Sequence, residues 1–272
     1  MDITQSIFRH IKNGDDAAIV SLLDEHPGLV HSRLSDPEYS QSTLQFAAGH
    51  GNIEICRLLV ERGAEVYPNP MNTYPPVMEA AWRKHEQVVD YFLNEIPHKA
   101  DGTNDLGVTI NLAGRQGWTG IVRKHLERDP LSIHSRGWTG DSPLHWPAHN
   151  NHVEIVSILI DAGADIEADE VNWIGGKPLH WASEHAPDSV RLLLQAGADV
   201  NSRNIRKDSK FHQVTPLIMN ATQHDDCHQV TELLLAAGAD IKATDAEGKT
   251  ALEHANARKL KQITAVLRAA GT

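Results

Sequence analysis

The residues of this chain that could do chemistry are imidazoles and carboxylates. There are 17 histidines among 272 residues, and two of them, His145 and His149, stand four apart. That spacing puts both rings on one face of a helix, in the manner of a metal pair. Glu184 and His185 are neighbours in the chain, and Glu79 supplies another carboxylate. Imidazole and carboxylate together can activate water without a cofactor, so the chemistry open to His149, His185, Glu184 and Glu79 is the acid–base work of a hydrolase or lyase. No Gly-rich phosphate loop, Gly-x-Ser-x-Gly elbow, Cys-x-x-Cys or His-Glu-x-x-His accompanies them. These residue types allow proton transfer but name no reaction.

Composition narrows the partners. A net charge of -11, from 25 Lys+Arg against 36 Asp+Glu, offers no basic face for phosphates, so nucleic acid is excluded as an expected partner. No apolar run approaches the length of a membrane span, and the Met-Asp-Ile-Thr-Gln start lacks the basic and apolar regions of a signal peptide. Cys56 and Cys227 lie far apart, each within a helical pattern, which fits buried thiols in a reducing cytoplasm.

Self-alignment shows what positions these groups. Three segments end alike, at Leu159-Ile160-Asp161-Ala162-Gly163-Ala164-Asp165-Ile166, Leu193-Leu194-Gln195-Ala196-Gly197-Ala198-Asp199-Val200 and Leu234-Leu235-Ala236-Ala237-Gly238-Ala239-Asp240-Ile241. Each follows an opening such as Ser142-Pro143-Leu144-His145-Trp146, Lys177-Pro178-Leu179-His180-Trp181 or Thr215-Pro216-Leu217-Ile218-Met219. Anchored on the His, the series runs Phe8, Gln45, Met78, Asn111, His145, His180, Ile218, Glu253, at intervals of 37, 33, 33, 34, 35, 38 and 35 residues. Proline opens the first helix of each of these three copies, where its missing N–H costs nothing, and Gly163, Gly197 and Gly238 close the second. Each unit is then two short helices and a protruding turn, and stacking must supply its core.

In period and in its Pro-Leu-His openings the chain resembles the ankyrin repeat family, over nearly its whole length. The resemblance implies an all-α helical solenoid of about eight helix-turn-helix repeats, read here as one domain over 1–272. The expected repeats are 1–35 as N-cap, 36–68, 69–102, 103–136, 137–170, 171–202, 203–243 and 244–272 as C-cap. Ile7, Phe8, Ile11 and Ile19 pack the first, and Arg258, Lys259, Lys261 and Arg268 face the last toward solvent. It also implies that His145 and His180 hydrogen-bond neighbouring turns, which dissolves the His145–His149 metal pair. No metal and no cofactor are expected.

The positions that such stacks leave variable, at the ends of the first helices and the turn tips, carry the specificity. Here they hold Trp82 and Arg83, Arg115, His149, Glu184 and His185, with Tyr74, Trp138, Asp141 and Trp173 on the turns. These types are enriched in binding hot spots. Trp146 and Trp181, just after the signature His, read as packing residues, although Trp181 also belongs to the pocket expected at the centre. Glu79 places a carboxylate at that otherwise mainly apolar position and needs a partner.

Two long turns flank the Trp-rich middle: a stiff one over 67–76 and a polar, mobile one over 204–213. Two function classes stay open. The leading one is a scaffold that binds a protein or peptide through Tyr74, Trp82, Arg83, Arg115, Trp138, Asp141, His149, Trp173, Trp181, Glu184 and His185. The alternative is a small-molecule binder or cofactor-independent hydrolase or lyase in the same concavity.

Overall fold

The computed structural model describes residues 2–34, 40–67, 74–96, 109–137 and 139–271. Trp138 and residues 68–73 of the first long turn lie outside the described residues. The chain divides into two compact units, 1–109 and 110–272.

In the first unit three helix pairs follow one another: α1 (Ile3–Asn13) with α2 (Asp16–Glu25), α3 (Thr43–Gly49) with α4 (Ile53–Glu61), and α5 (Pro76–Trp82) with α6 (Glu86–Asp90). Helix α6 runs on into a π turn over Tyr91–Glu95. The second unit continues with α7 (Thr109–Gln116) and α8 (Thr119–Arg128), α9 (His145–His149) and α10 (Val153–Asp161), and α11 (Pro178–Ala182) and α12 (Pro187–Gln195). It ends with α13 (Pro216–Ala221) and α14 (His228–Ala236), then α15 (Ala251–Arg258) and α16 (Lys261–Ala270). One pair falls in each of the eight expected repeats.

Local chemistry sets the helix ends. Ser42 and Gln45 form a reciprocal capping box at α3, Thr215 caps α13, and Pro76, Pro178 and Pro216 occupy first-turn positions. Gly163, Gly197 and Gly238 follow α10, α12 and α14 at φ of 90°, 95° and 90°, a left-handed conformation that costs any other residue steric strain. The Pro27 and Pro130 variants of this stop each nucleate a 3₁₀ turn, over Pro27–His31 and Pro130–His134.

Two expectations need correction. Pro143 does not open α9, which begins at His145, because Pro147 has no N–H to give to the carbonyl of Pro143 and the first turn stays unlatched. Cys56 is buried within α4, but Cys227 is partly exposed at the N-cap of α14 rather than inside a helix; both are free thiols.

Stacking supplies the core, as the amphipathic helices require. Within the second unit α9, α11, α13 and α15 pack in series, and α8, α10, α12, α14 and α16 form a second row. Leu179 and Leu217 from the first row, Leu144 just before α9, and Val156, Leu159, Val190, Leu193, Val230 and Leu234 from the second are all buried. Each contributes about 1.5–3 kcal/mol by leaving water.

In four of the eight repeats the anchor residue ties its layer to the next turn. Gln45 Nε2 donates to the carbonyl of Tyr74 at 2.6 Å, Asn111 Nδ2 to that of Asp141 at 3.0 Å, His145 Nε2 to Gly176 at 3.3 Å and His180 Nε2 to Val214 at 3.0 Å. In both histidines Nδ1 accepts a backbone N–H, from Ser142 or Lys177, which fixes the proton on Nε2. Burial lowers both pKa values to about 4. With both ring nitrogens of His145 committed, it offers nothing to a metal.

Candidate functional site

The site grows from the ends of α9 and α11. Helix α9 carries Trp146 on its first turn and His149 on its last, while α11 carries Trp181 and leads at once into Glu184 and His185. Because α9 and α11 pack side by side, residues 35 or 36 apart in sequence meet on one face.

A third element completes the wall. The turn after Glu170 is wound around that residue's carboxylate, which accepts the N–H groups of Asn172, Trp173 and Gly175. Arg206 Nη1 lies 3.9 Å from the same buried carboxylate and balances its charge. Gly175 sits at φ 78°, and a Cβ there would lie 2.5 Å from Asn204 Oδ1, so only glycine fits. The turn is thereby rigid, and it presents Trp173 half exposed, at 52%.

The segment expected to be mobile over 204–213 is instead tied down. Asn204 Nδ2 and the Ser209 hydroxyl both donate to the carbonyl of Ile174, and Asn204 exchanges backbone hydrogen bonds with Gln213 and Val214. Its polar composition serves these bonds rather than disorder. It brings Lys210 and Phe211 to the wall of a cavity of about 240 Å³ that is also lined by Trp146, His149, Trp173, Ile174, Trp181, Glu184 and Gln223.

Three indoles shape that cavity. Trp146 and Trp173 are nearly parallel with centroids 6.0 Å apart, and Trp181 meets them edge-on at 5.1 Å and 5.7 Å. Trp181 is itself 1% exposed and forms the floor, its Nε1 donating to Gly175 O at 3.3 Å. The Arg115 guanidinium covers Trp146, 3.9 Å from the ring centroid.

Beside the indoles lie the polar groups. His149 Nε2 stands 3.5 Å from Glu184 Oε2, and the rings of His149 and His185 are 4.6 Å apart and nearly perpendicular. Burial opposes the imidazolium of His149, but hydrogen bonds to Glu184 and Asn150 outweigh it and raise its pKa. Burial, reinforced by His149, lowers that of His185. The pair therefore splits into a more basic and a less basic imidazole flanking one carboxylate.

The other sequence-derived candidates fall elsewhere. Tyr74, Trp82 and Arg83 lie in the first unit around Glu79: the Tyr74 hydroxyl donates to Glu79 Oε2 at 2.7 Å and Arg83 Nε to Oε1 at 2.6 Å, while Trp82 packs edge-on to Tyr74 at 4.8 Å. Both oxygens of Glu79 are occupied, so its acid–base candidacy gives way to a structural ion pair. Asp141, expected at an open turn tip, is buried at 2% exposure and accepts from Asn111 and Thr139. It braces the turn and cannot face a partner.

Sequence reasoning missed Glu170, Lys210, Phe211 and the lining role of Trp146. The Gly175-Gly176 pair was the available signal for a tightly wound turn. Nothing local in the sequence pairs Ser209 with Ile174.

Comparison with known proteins follows the same layers. A family model described as ankyrin repeats (3 copies) matches residues 7–104 and 110–204. The chain is 28% identical over 269 residues to "Ankyrin repeat protein nuc-2" of Neurospora crassa, covering 93% of this chain and 23% of that protein. It is 27% identical to "Probable E3 ubiquitin-protein ligase XBOS32" of Oryza sativa subsp. japonica, over 57% of this chain and 37% of the relative. To the human "Ankyrin repeat and SOCS box protein 6" it is 42% identical over 98 residues, 36% of this chain and 22% of the relative. The chain thus spans well under half the length of each.

Proposed function

The chain belongs to the ankyrin repeat family, and from that premise we propose that it is a binding scaffold that takes a protein or peptide partner at the face formed by α9, α11 and the turns after Glu170 and Asn204. Family membership supports a protein-interaction role in general. The reading for this chain rests on one observation, the half-exposed Trp173 held over a cavity floored by Trp181 and walled by Trp146 and Phe211.

The size of that cavity favours a side chain over a free metabolite. Pockets for small molecules commonly run to roughly 300–1,000 Å³, whereas this one is about 240 Å³. One aromatic or long aliphatic side chain of a docked peptide fills it. Arg115, Lys210 and Glu184 around the rim set the polarity of the flanking residues. The hydrolase or lyase alternative loses Glu79, which is saturated, and keeps only His149, His185 and Glu184.

The setting we infer is cytoplasmic, a reading supported by the two free thiols. Among the described residues no helix is long and apolar enough to cross a membrane.

Selection of peptides from a random library on the intact protein tests this reading. The peptides should share one large apolar residue, and Trp173→Ala should weaken them by at least about tenfold, as expected for a hot-spot tryptophan. Recovery of peptides that bind Trp173→Ala as well as the wild type would place the interface elsewhere.

A further inference from the structure

Among the described residues, His149, Glu184 and His185 form the one group of three side chains whose ligand atoms, one from each, all lie within 4.8 Å of one another. We propose that these three residues bind a divalent transition-metal ion of the zinc class, with at least one coordination position left for water or an incoming ligand. The inference goes beyond the scaffold role and does not depend on it.

The donor set fits that ion. Two imidazoles and a carboxylate are the ligands of a His₂Glu zinc site, and nitrogen donors select against magnesium and calcium. The spacing fits as well. Zinc bonds of about 2.1 Å set tetrahedral ligand pairs roughly 3.4 Å apart, and His149 Nε2 and Glu184 Oε2 are already 3.5 Å apart. His185 is exposed, so its ring is free to swing the remaining distance.

The surroundings orient the first ligand. Asn150 Nδ2 donates to the carbonyl of Arg115 at 2.8 Å, which turns Asn150 Oδ1 toward His149 Nδ1 at 2.9 Å. With that oxygen as acceptor, Nδ1 keeps its proton, and a metal that displaces the proton on Nε2 takes up a lone pair directed toward Glu184. A ligating histidine in metal proteins is held in this way, by a hydrogen bond from its other nitrogen. Among the described residues the Glu184 carboxylate has no closer partner than His149, in contrast to the saturated Glu79 and Glu170. His149 and Glu184 also line the cavity, so the open position faces the space beside the three indoles.

Titration of the full chain with Zn²⁺ by calorimetry, and with Co²⁺ by visible absorption, reads this out. One tight equivalent per chain is expected, with the intense d–d bands of a four- or five-coordinate Co²⁺ site. His149→Ala, His185→Ala and Glu184→Gln should each lower affinity by about a hundredfold and Asn150→Ala by roughly tenfold, while the control His50→Ala leaves it unchanged. Zn²⁺ should raise the melting temperature of the wild type and not of the three ligand variants. Trp173→Ala should retain the metal, which separates this site from peptide binding. Absence of stoichiometric Zn²⁺ binding, or wild-type affinity in His149→Ala and His185→Ala, overturns the proposal.

Discussion

Two rows of histidine run through the middle repeats, and they have opposite fates. His145 and His180 are fully buried, have both ring nitrogens engaged and are held neutral, with pKa values lowered to about 4. His149 and His185 lie four and five residues further on, less deeply buried, with the Glu184 carboxylate beside them. The same side chain thus latches one layer to the next in the first row, while in the second it meets a carboxylate and another imidazole at a less deeply buried face. The difference is made by what the turns supply: a carbonyl aimed at each buried Nε2, and none aimed at the outer pair among the described hydrogen bonds.

Two carboxylates, one in each unit, repeat the lesson. Glu79 is gripped by Tyr74 and Arg83, whereas among the described residues the nearest partner of Glu184 is His149 at 3.5 Å. A carboxylate with a donor on each oxygen serves the architecture. Glu184 carries no such pair of donors among the described residues.

Mutation should separate the rows most sharply at the buried one. His180→Ala removes a buried latch and opens a cavity, so chemical unfolding should show a loss of about 3 kcal/mol or more. The acid limb of stability should report both latches. Because the folded-state pKa of about 4 lies below the ordinary 6.5, the unfolded chain binds more protons between those values. Stability is then complete above about pH 6.5 and falls as the pH drops toward 4, by on the order of 3 kcal/mol per histidine. Unfolding midpoints in the wild type and in His145→Gln across that range measure it; a midpoint independent of pH would remove the buried neutral state from the account.

Smaller effects belong to the face. Glu170→Gln leaves at least one of three backbone donors poorly served, so it should cost about 1–3 kcal/mol and weaken selected peptides along with it, because Trp173 loses its rigid mount. Trp173→Ala itself should shift stability by less than about 0.5 kcal/mol, since it removes a half-exposed side chain. His185→Ala in the metal-free protein should change the melting temperature least of all. A large loss there would turn the outer row into a second structural row and erase the comparison.

Much of this was legible beforehand. The order of Pro178, His180 and Gly197, which recurs as Pro216, Ile218 and Gly238, was enough to place the helix pairs, because Pro and Gly each answer a local backbone requirement. Register alone singled out Trp173, His149, Glu184 and His185, which lie together beside the three indoles. Asp141 and Glu79 were misplaced as site residues because side-chain satisfaction is not local: Asp141 found Asn111 in the preceding repeat, and Glu79 found Tyr74 across a turn. The 204–213 segment was read as mobile from its polarity, yet that polarity is spent on the carbonyl of Ile174.

By itself the sequence determined the repeat and most of the helix ends, since these follow from periods, caps and turn residues that act within a few positions, while the latch row was implied by the family resemblance. Only the tertiary structure decided which polar groups remained unclaimed. That depends on distances between neighbouring layers, and layers 35 residues apart in sequence are brought together by stacking rather than by any local preference.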